Sequence, residues 1–299
     1  MGALPAGLLG DRSTGYRTGL LGAGIATSAS PHLHEREAAA HGRTARYVLL
    51  DTDDPGIGGL DPAVLLDEVH RAGWQGLGVT HPCKQSIVAH LDGLSADAAA
   101  IGAVNHVVFG RGRAVGHNTD WSGYARSLRD GLPGGLRPDD LARVVLVGAG
   151  GAGAAVAHAL LTLGVAALDL VDVSPARSGR LAEALAGRFP DRAVRAAAPA
   201  DLGELVPEAA GLVNASPVGM VGHPGTPVPA DLLRGRPWVS DVVYRPRRTR
   251  LLADAEDAGC RVVGGGAMLV HQAADGFALM TGLPPDRARM LGEFERIRR

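Results

Sequence analysis

The chain has 299 residues, of which 46% are hydrophobic and 20% charged, and its formal net charge is −1. Such composition is typical of a globular protein with one large core or two of ordinary size. The near-zero charge argues against nucleic acid or an anionic membrane as the main partner, and no segment approaches the roughly 20 apolar residues of a membrane span.

The N-terminal segment and the cysteines point to a cytoplasmic location. Asp11 and Arg12 interrupt the apolar run that a secretory signal would need. Cys83 and Cys260 are the only cysteines, too few for a disulfide framework and unlike a metal cluster. We therefore expect a cytoplasmic protein, a monomer or homodimer, without a metal site.

The predicted elements of the first part alternate between strands and helices, after a loose tail of about 17 residues. The predicted strands are 20–25, 47–50, 76–80, 103–108 and 114–117. The predicted helices are 31–41, 62–72, 83–90 and 96–102, the second with Asp61 as its N-cap. This alternation indicates a mostly parallel sheet covered by helices on both faces.

A linking helix at 120–131 leads to a second α/β unit. Its predicted strands are 144–147, 168–171, 211–213 and 238–239, and a final helical spacing covers 268–280. The fold class predicted for the whole chain is therefore α/β, with two α/β domains.

A glycine-rich motif of the form G-x-G-x-x-G separates the strand 144–147 from the alanine-rich helical run 154–163. Its residues are Gly148, Ala149, Gly150, Gly151, Ala152 and Gly153. Glycines permit the tight turn, and the backbone N–H groups at the helix N-terminus suit a pyrophosphate. The strand–turn–helix context favours a dinucleotide site over a simple glycine-rich turn.

The nucleotide preference depends on the end of the next strand. Asp172 lies about 20 residues after the motif, where a carboxylate can accept hydrogen bonds from ribose hydroxyls and repel a 2′-phosphate. Asp169 is the competing acid, but we interpret it as a polar edge position. Arg177 can hold a 2′-phosphate, so it favours NADP, whereas Asp172 favours NAD. We predict NAD.

The 30 basic residues include a single lysine, Lys84. A compact amine is not interchangeable with guanidinium, so Lys84 is either a functional residue or a remnant of a composition that favours arginine.

Six ordered motifs resemble the shikimate dehydrogenase family across about residues 18–299. They are Ser28-Ala-Ser30-Pro-His-Leu-His34, Thr80-His-Pro-Cys-Lys84, Gly102-Ala-Val-Asn105, Gly116-His-Asn-Thr-Asp120, Asn214-Ala-Ser216-Pro-Val-Gly-Met220 and Met268-Leu-Val-His-Gln272. The resemblance implies a substrate-binding catalytic domain at 18–121 completed by 268–299, a Rossmann-type NAD(P)-binding domain at 122–267, and an active site in the cleft between them.

The resemblance also implies roles for individual residues. Ser28 and Ser30 would bind the substrate carboxylate, while Thr80, Lys84, Asn105, Asp120, Tyr244 and Gln272 would surround the ring. Besides the glycine motif, Asp172 and Arg177, the cofactor would meet Asn214, Ser216, Val243, Gly265 and Met268. Simpler interpretations stay open: helix capping for Ser30 and Asp120, a plain turn at Asn214, and aromatic packing for Tyr244.

Lys84 and Asp120 match the catalytic pair of the family. Alcohol oxidation requires loss of the hydroxyl proton as hydride leaves carbon, and reduction requires the reverse. We predict a cationic Lys84 that stabilises the developing alkoxide and exchanges a proton with it, while Asp120 orients the amine; which of the two is formally the base stays open.

Two departures from the commonest family pattern resemble the NAD-dependent quinate/shikimate branch. Glu35 follows the serine motif where many members have Asn, and Asp172-Val173-Ser174 stands where NADP-using members carry an Asn-Arg-Thr type sequence. The leading hypothesis is an NAD-dependent enzyme interconverting shikimate with 3-dehydroshikimate and quinate with 3-dehydroquinate. The alternatives are an aminoshikimate or aminoquinate dehydrogenase and a non-catalytic regulator that senses shikimate or quinate.

Overall fold

The computed structural model describes Leu4, residues 15–234 and residues 238–297. The described residues form two compact units, one containing those up to Thr119 together with those from Gln272 onward, the other containing those from Asp120 to His271. Each unit is built on its own six-stranded sheet, so the predicted α/β class with two sheets is confirmed.

The sheet of the first unit is mixed. Its strands are β1 (Tyr16–Gly22), β2 (Ala45–Asp51), β3 (Gly76–Val79), β4 (Gly93–Leu94), β5 (His106–Gly110) and β6 (Arg113–His117). They lie in the order β2-β1-β3-β5-β6-β4. The pairs around β1 are parallel, whereas β5 pairs antiparallel with both β3 and β6. A two-residue turn joins β5 to β6, which requires that pair to be antiparallel.

Seven helices and a 3-10 segment flank this sheet among the described residues. The helices are α1 (Ser30–Ala40), α2 (Pro55–Gly58), α3 (Pro62–Arg71), α4 (Cys83–Ser86), α5 (Ala96–Ile101), the second part of the helix Gly266–Thr281, and the helix Arg287–Arg296. The predicted helix 83–90 ends early, since Ile87–His90 tightens into the 3-10 segment. Asp61 caps α3 as predicted, accepting the Ala63 N–H at 2.8 Å.

The start of the chain differs from the predicted loose tail where it is described. Residues 1–3 and 5–14 lie outside the described residues. Leu4, however, is buried in the core of the first unit, and its N–H donates to Glu68 Oε2 at 2.6 Å. β1 begins at Tyr16 and ends at Gly22, earlier than the predicted strand 20–25, because the polar residues Arg17 and Thr18 are buried within it.

The sheet of the second unit is entirely parallel. Its strands are β7 (Arg143–Val147), β8 (Ala167–Val171), β9 (Ala193–Ala197), β10 (Gly211–Asn214), β11 (Trp238–Asp241) and β12 (Arg261–Gly264). They lie in the order β12-β11-β10-β7-β8-β9. The chain runs outward from β7 and then returns to β10 on the other side, which is the strand order of doubly wound dinucleotide-binding sheets.

The helices of this unit are α6 (Asp120–Gly131), α7 (Gly151–Leu163), α8 (Pro175–Arg188), α9 (Leu202–Leu205) and α10 (Arg250–Asp257), followed by α11 (Gly266–Thr281) and, in the first unit, α12 (Arg287–Arg296). α7 is buried along most of its length because its residues are nearly all small or apolar. Small side chains let a helix approach a sheet closely, so this helix fixes the turn that precedes it.

Asp169 is not the polar edge residue that we predicted. It lies in β8 between two other strands and is 1% exposed, forming ion pairs with Arg143 on β7 and Arg195 on β9. A buried carboxylate requires such partners. Asp169 therefore joins three strands and lies before the strand end where a ribose acid is expected.

Candidate active site

The carboxyl ends of β7 and β10 lie side by side where the strand order reverses, and both are followed by predicted site residues. Gly148 follows β7 and has φ +104°, a backbone conformation that residues other than glycine rarely adopt. A Cβ on Gly148 would lie 2.7 Å from Ser216 N, and one on Gly153 would lie 1.9 Å from Gly148 O. The loop therefore needs glycine at both positions, whereas Gly150 faces open space.

The N-terminus of α7 suits an anion. Gly150 is its N-cap, the helix begins at Gly151, and of the described residues none caps it with a side chain. The first N–H groups of a helix have no intrahelical acceptor, and the helix dipole adds partial positive charge there. The open space at Gly150 lets a diphosphate approach these N–H groups, so the loop fits the group for which it was predicted.

Asp172, at the end of β8, is buried and forms a hydrogen bond with the backbone of this loop. Its Oδ2 accepts the Ala149 N–H at 2.7 Å and its Oδ1 accepts the Ser174 N–H at 2.8 Å. Arg177 Nη1 lies 3.6 Å from Oδ2. Each carboxylate oxygen can accept two hydrogen bonds, so capacity for ribose hydroxyls remains beside these backbone contacts. The neighbouring Val173 is 85% exposed and offers an apolar surface.

Asn214 shapes the loop after β10. Its Nδ2 donates to Val218 O and Asp241 Oδ1, both at 3.0 Å, and its Oδ1 accepts from the backbone and hydroxyl groups of Ser216 at 3.0 and 2.6 Å. These bonds use all four hydrogen-bonding positions of the amide. Any contribution of Asn214 to cofactor binding therefore acts through the shape of the loop.

Asp241, at the end of β11, was not among the predicted site residues. It is fully buried and accepts hydrogen bonds from Asn214, from the Val243 N–H at 3.0 Å and from Thr249 Oγ1 at 2.7 Å. Burial raises the pKa of Asp241 to about 6, and the three hydrogen bonds act in the opposite direction. An acid directly after an apolar strand was the only available signal. The carboxylate links the turns after β10 and β11 to the N-cap of α10.

Three other predicted cofactor or cleft residues lie nearby in sequence. Gly265 precedes α11, and a Cβ there would lie 2.2 Å from Val242 O, so close backbone packing explains this glycine. Met268 is buried in the apolar core of the second unit. Tyr244 is half-buried. Their roles toward a cofactor or substrate remain predictions.

In the first unit, Asn105 and Gln272 are brought together although they are 167 positions apart. Asn105 Nδ2 donates to Gln272 Oε1 at 3.2 Å and to Thr119 Oγ1 at 3.0 Å, while Asn105 Oδ1 accepts the Thr119 N–H at 2.7 Å. Thr119 Oγ1 donates to the Gln272 backbone carbonyl at 3.0 Å. Two predicted substrate residues thus belong to one hydrogen-bonded cluster.

His106 belongs to the same cluster and was not predicted. Its Nδ1 lies 3.1 Å from Asn105 Oδ1 and 3.2 Å from Thr119 Oγ1. Burial lowers the pKa of His106 to about 3, and the positive charge of Lys84 contributes in the same direction. The imidazole is therefore neutral at physiological pH.

The predicted carboxylate-binding serines lie at the start of α1. Ser28 is half-buried and its Oγ accepts the Ser30 N–H at 3.2 Å, so Ser28 satisfies a helix-start N–H that we expected Ser30 to serve. Ser30 is buried and hydrogen-bonded to the hydroxyl of Tyr47, which sequence patterns did not single out. Burial raises the pKa of Tyr47, so its phenol stays protonated.

The remaining predicted residues lie at ends of elements. Thr80 follows β3 and Lys84 is in α4, both half-buried. The Lys84 carbonyl accepts the Val104 N–H at 2.8 Å, which ties α4 to the segment before Asn105. Asp120 is the first residue of α6 and is 4% exposed.

In the described part of the chain, no group of three or more His, Cys, Asp or Glu side chains is arranged to hold a metal ion. None of the helices described there is long and apolar enough to cross a membrane.

Two family models match the chain. The shikimate dehydrogenase substrate binding domain matches residues 20–107, and the shikimate 5′-dehydrogenase C-terminal domain matches residues 267–292.

Individual relatives cover nearly the whole chain. A shikimate dehydrogenase (NADP(+)) of Arthrobacter sp. is 48% identical over 286 residues, 96% of each chain. A quinate/shikimate dehydrogenase (NAD(+)) of Corynebacterium efficiens is 44% identical and covers 92% of this chain and 96% of its own. The solved quinate dehydrogenase from Corynebacterium glutamicum in complex with NAD is 41% identical, with a TM-score of 0.88 over 95% of this chain and all of its own.

Because relatives more than 40% identical span over nine-tenths of the chain, the predicted family is confirmed: the protein belongs to the shikimate dehydrogenase family of NAD(P)-dependent oxidoreductases that act on CH–OH groups.

Proposed function

We propose that the protein is an NAD-dependent dehydrogenase that interconverts shikimate with 3-dehydroshikimate and quinate with 3-dehydroquinate, and that it acts in the cytoplasm. The first unit would bind the hydroxylated ring acid and the second the dinucleotide. The observation that carries the proposal is the position of Asp172. This buried carboxylate lies at the end of β8 and accepts a hydrogen bond from the backbone of the glycine loop.

Three features around Asp172 support NAD over NADP. Its negative charge repels a 2′-phosphate, and its oxygens can still accept bonds from ribose hydroxyls. Arg177, the side chain able to bind a 2′-phosphate, lies 3.6 Å from that carboxylate and is partly neutralised by it. The exposed Val173 places an apolar side chain where NADP-using members carry a cationic one.

The first unit supports a substrate with several hydroxyl groups and one carboxylate. Asn105 and Gln272 offer amide donors and acceptors in one cluster, which suits hydroxyls that both donate and accept. Ser28 and Ser30 bring two hydroxyls to the N-terminus of α1, where the helix dipole favours an anion.

The assigned chemistry is exchange of a hydride and a proton at one ring carbon and its oxygen. A bound nicotinamide would supply or accept the hydride. In reduction the Lys84 ammonium donates a proton to the carbonyl oxygen, and in oxidation the same proton returns as the hydroxyl becomes a carbonyl. Asp120 orients the Lys84 amine. Before the transfer, the Lys84 charge stabilises negative charge on the oxygen.

Steady-state kinetics with shikimate and quinate, each with NAD and NADP, test the proposal. We expect turnover of both acids and a kcat/KM for NAD at least about tenfold above that for NADP, because a ribose acid discriminates by about 1.4 kcal/mol or more. A preference for NADP would refute the role of Asp172. Turnover restricted to an amino analogue would replace the substrate, and calorimetric binding of shikimate without turnover would favour a regulator.

A further inference from the structure

We propose that His106 is a positioning residue for the substrate: it holds the Asn105 amide in the one orientation that presents an N–H donor toward Gln272 and a ring hydroxyl. The proposal rests on the proposed function, since it treats Asn105 and Gln272 as substrate-binding residues. His106 acts through Asn105 and is not assigned a contact with the reacting atoms.

The protonation pattern of the cluster follows from its geometry. Thr119 has one hydroxyl proton, and it goes to the Gln272 carbonyl, which can only accept. Asn105 Oδ1 is also an acceptor and already receives the Thr119 N–H at 2.7 Å. The atom that lies 3.1 Å from that oxygen and 3.2 Å from Thr119 Oγ1 must therefore be a donor, so His106 carries its proton on Nδ1.

The backbone N–H of Thr119 requires an acceptor at this position of the Asn105 amide, and the His106 Nδ1–H adds a second donor to the same atom. With Nδ1–H and the Thr119 N–H both directed at one atom, that atom must be the oxygen, because an NH₂ group there would face two donors. The Asn105 Nδ2 group is then directed at Thr119 Oγ1 and at Gln272 Oε1, the longer of the two contacts at 3.2 Å. The hydrogen in this longer bond is the one that a substrate hydroxyl can share.

The surroundings of His106 keep the imidazole neutral and in place. The residue is 3% exposed, and burial with the nearby Lys84 charge lowers its pKa to about 3, so the Nδ1–H tautomer is not replaced by imidazolium at working pH. On its other side the ring lies against α11. A Cβ on Gly276 would lie 2.1 Å from His106 Nε2, so this glycine leaves the space that the ring occupies.

Two substitutions of His106 distinguish the effect of its N–H donor from the effect of its side-chain volume. His106→Asn keeps an N–H near the position of Nδ1, whereas His106→Leu fills the space without a donor. We expect His106→Leu to raise KM for shikimate at least about tenfold and His106→Asn to stay within about threefold of the unaltered chain. Neither should change the Kd for NAD more than about twofold. Equal effects of the two substitutions, or an unchanged KM in His106→Leu, would overturn the proposal.

A second pair of variants tests the same point without altering His106. Gly276→Ala forces the His106 ring out of its present position beside Asn105 and should raise KM for shikimate with unchanged NAD binding. Gly292→Ala is the matched control, since it lies in α12 with open space around its Cβ position. If His106→Leu does not fold, this pair decides: a Gly276→Ala enzyme as active as Gly292→Ala would refute the proposal.

Substrate analogues provide a readout that a purely structural role would not change. The unaltered chain should discriminate against the mono-deoxy analogue that lacks the hydroxyl bound by Asn105, and His106→Leu should lose most of that discrimination while His106→Asn keeps it. Retained discrimination in His106→Leu would refute the proposal. If the unaltered chain neither turns over nor binds shikimate or quinate, the proposed function fails as well. If the unaltered chain turns over normally and the variants at His106 and Gly276 have the same KM as it does, only the role of His106 is refuted.

Discussion

Two glycines of the dinucleotide loop have different roles, which substitutions can distinguish. Gly153 allows close packing of the backbone, whereas Gly150 leaves space for the cofactor. A Cβ on Gly153 would lie 1.9 Å from Gly148 O, whereas real Cβ contacts essentially never fall below 3.0 Å. The contacted atom is a backbone carbonyl, and Gly148 is itself closely packed against Ser216, so the loop cannot move aside. Gly150 has nothing within 4 Å of its Cβ position.

We therefore expect Gly153→Ala to destabilise the second unit and Gly150→Ala to spare it. Overpacking against rigid neighbours costs about 1–3 kcal/mol, and the contact at Gly153 belongs at the upper end. For a unit of this size, about 3 kcal/mol lowers Tm by roughly 6–12 °C. Gly150→Ala should change stability by less than about 1 kcal/mol. Its methyl group occupies the space above the α7 N-terminus, so the Kd for NAD should rise at least about tenfold, or about 1.4 kcal/mol.

Thermal unfolding by circular dichroism and NAD titration by calorimetry measure the two effects separately. Gly187→Ala is the matched control, because it is a glycine of α8 with open space: it should leave the Kd for NAD unchanged and should not lower Tm, since alanine favours a helix over glycine. A Gly150→Ala chain that binds NAD like the unaltered chain would refute the pyrophosphate position. A Gly153→Ala chain of undiminished Tm would refute the packing argument.

The other predictions concern single charges. Lys84→Ala should lower kcat at least about a hundredfold with little change in the Kd for NAD, and an unchanged kcat would remove Lys84 from the mechanism. Asp172→Ala should raise KM for NAD at least about tenfold, because the Ala149 N–H loses its acceptor, whereas Arg177→Ala should leave it within about threefold; equal effects would contradict the assignment. The pKa of Asp241 is raised from 3.8 to about 6. Its proton is thus held more tightly in the folded state, and the resulting stability of about 3 kcal/mol is complete below pH 4 and lost as pH rises through 6. Urea unfolding from pH 4 to 7.5 should show this slope, and Asp241→Asn should lack it.

Features determined by local spacing could be predicted from the sequence. The glycine motif, the capping of α3 by Asp61 and the start of α6 at Asp120 each depend on residues within a few positions of one another. The strand after the motif ends at Val171, directly before Asp172, because an apolar run is followed by a polar residue. Such patterns were sufficient for the α/β class and for the dinucleotide loop.

Features that depend on distant partners could not be predicted. β9 was missed because this largely exposed edge strand contains three alanines and Arg195, and Val194 is its only large apolar residue. Asp169 was misplaced because its partners Arg143 and Arg195 lie on strands 26 positions away in either direction. The position of His106 opposite Thr119 and Gly276 depends on three separate segments meeting.

The first unit consists of two chain segments, one before and one after the second unit in the sequence. The ribosome therefore makes its two parts at different times. Its buried Glu37 bonds to Arg289 at 2.7 Å, and the Tyr16 hydroxyl donates to the Thr281 carbonyl. The intervening 152 residues, from 120 to 271, form a contiguous unit. At about 5–20 residues per second, roughly 8–30 s pass between emergence of the two parts. The second unit can therefore fold before synthesis of the first unit is complete, and until then the N-terminal segment lacks the C-terminal part of its core.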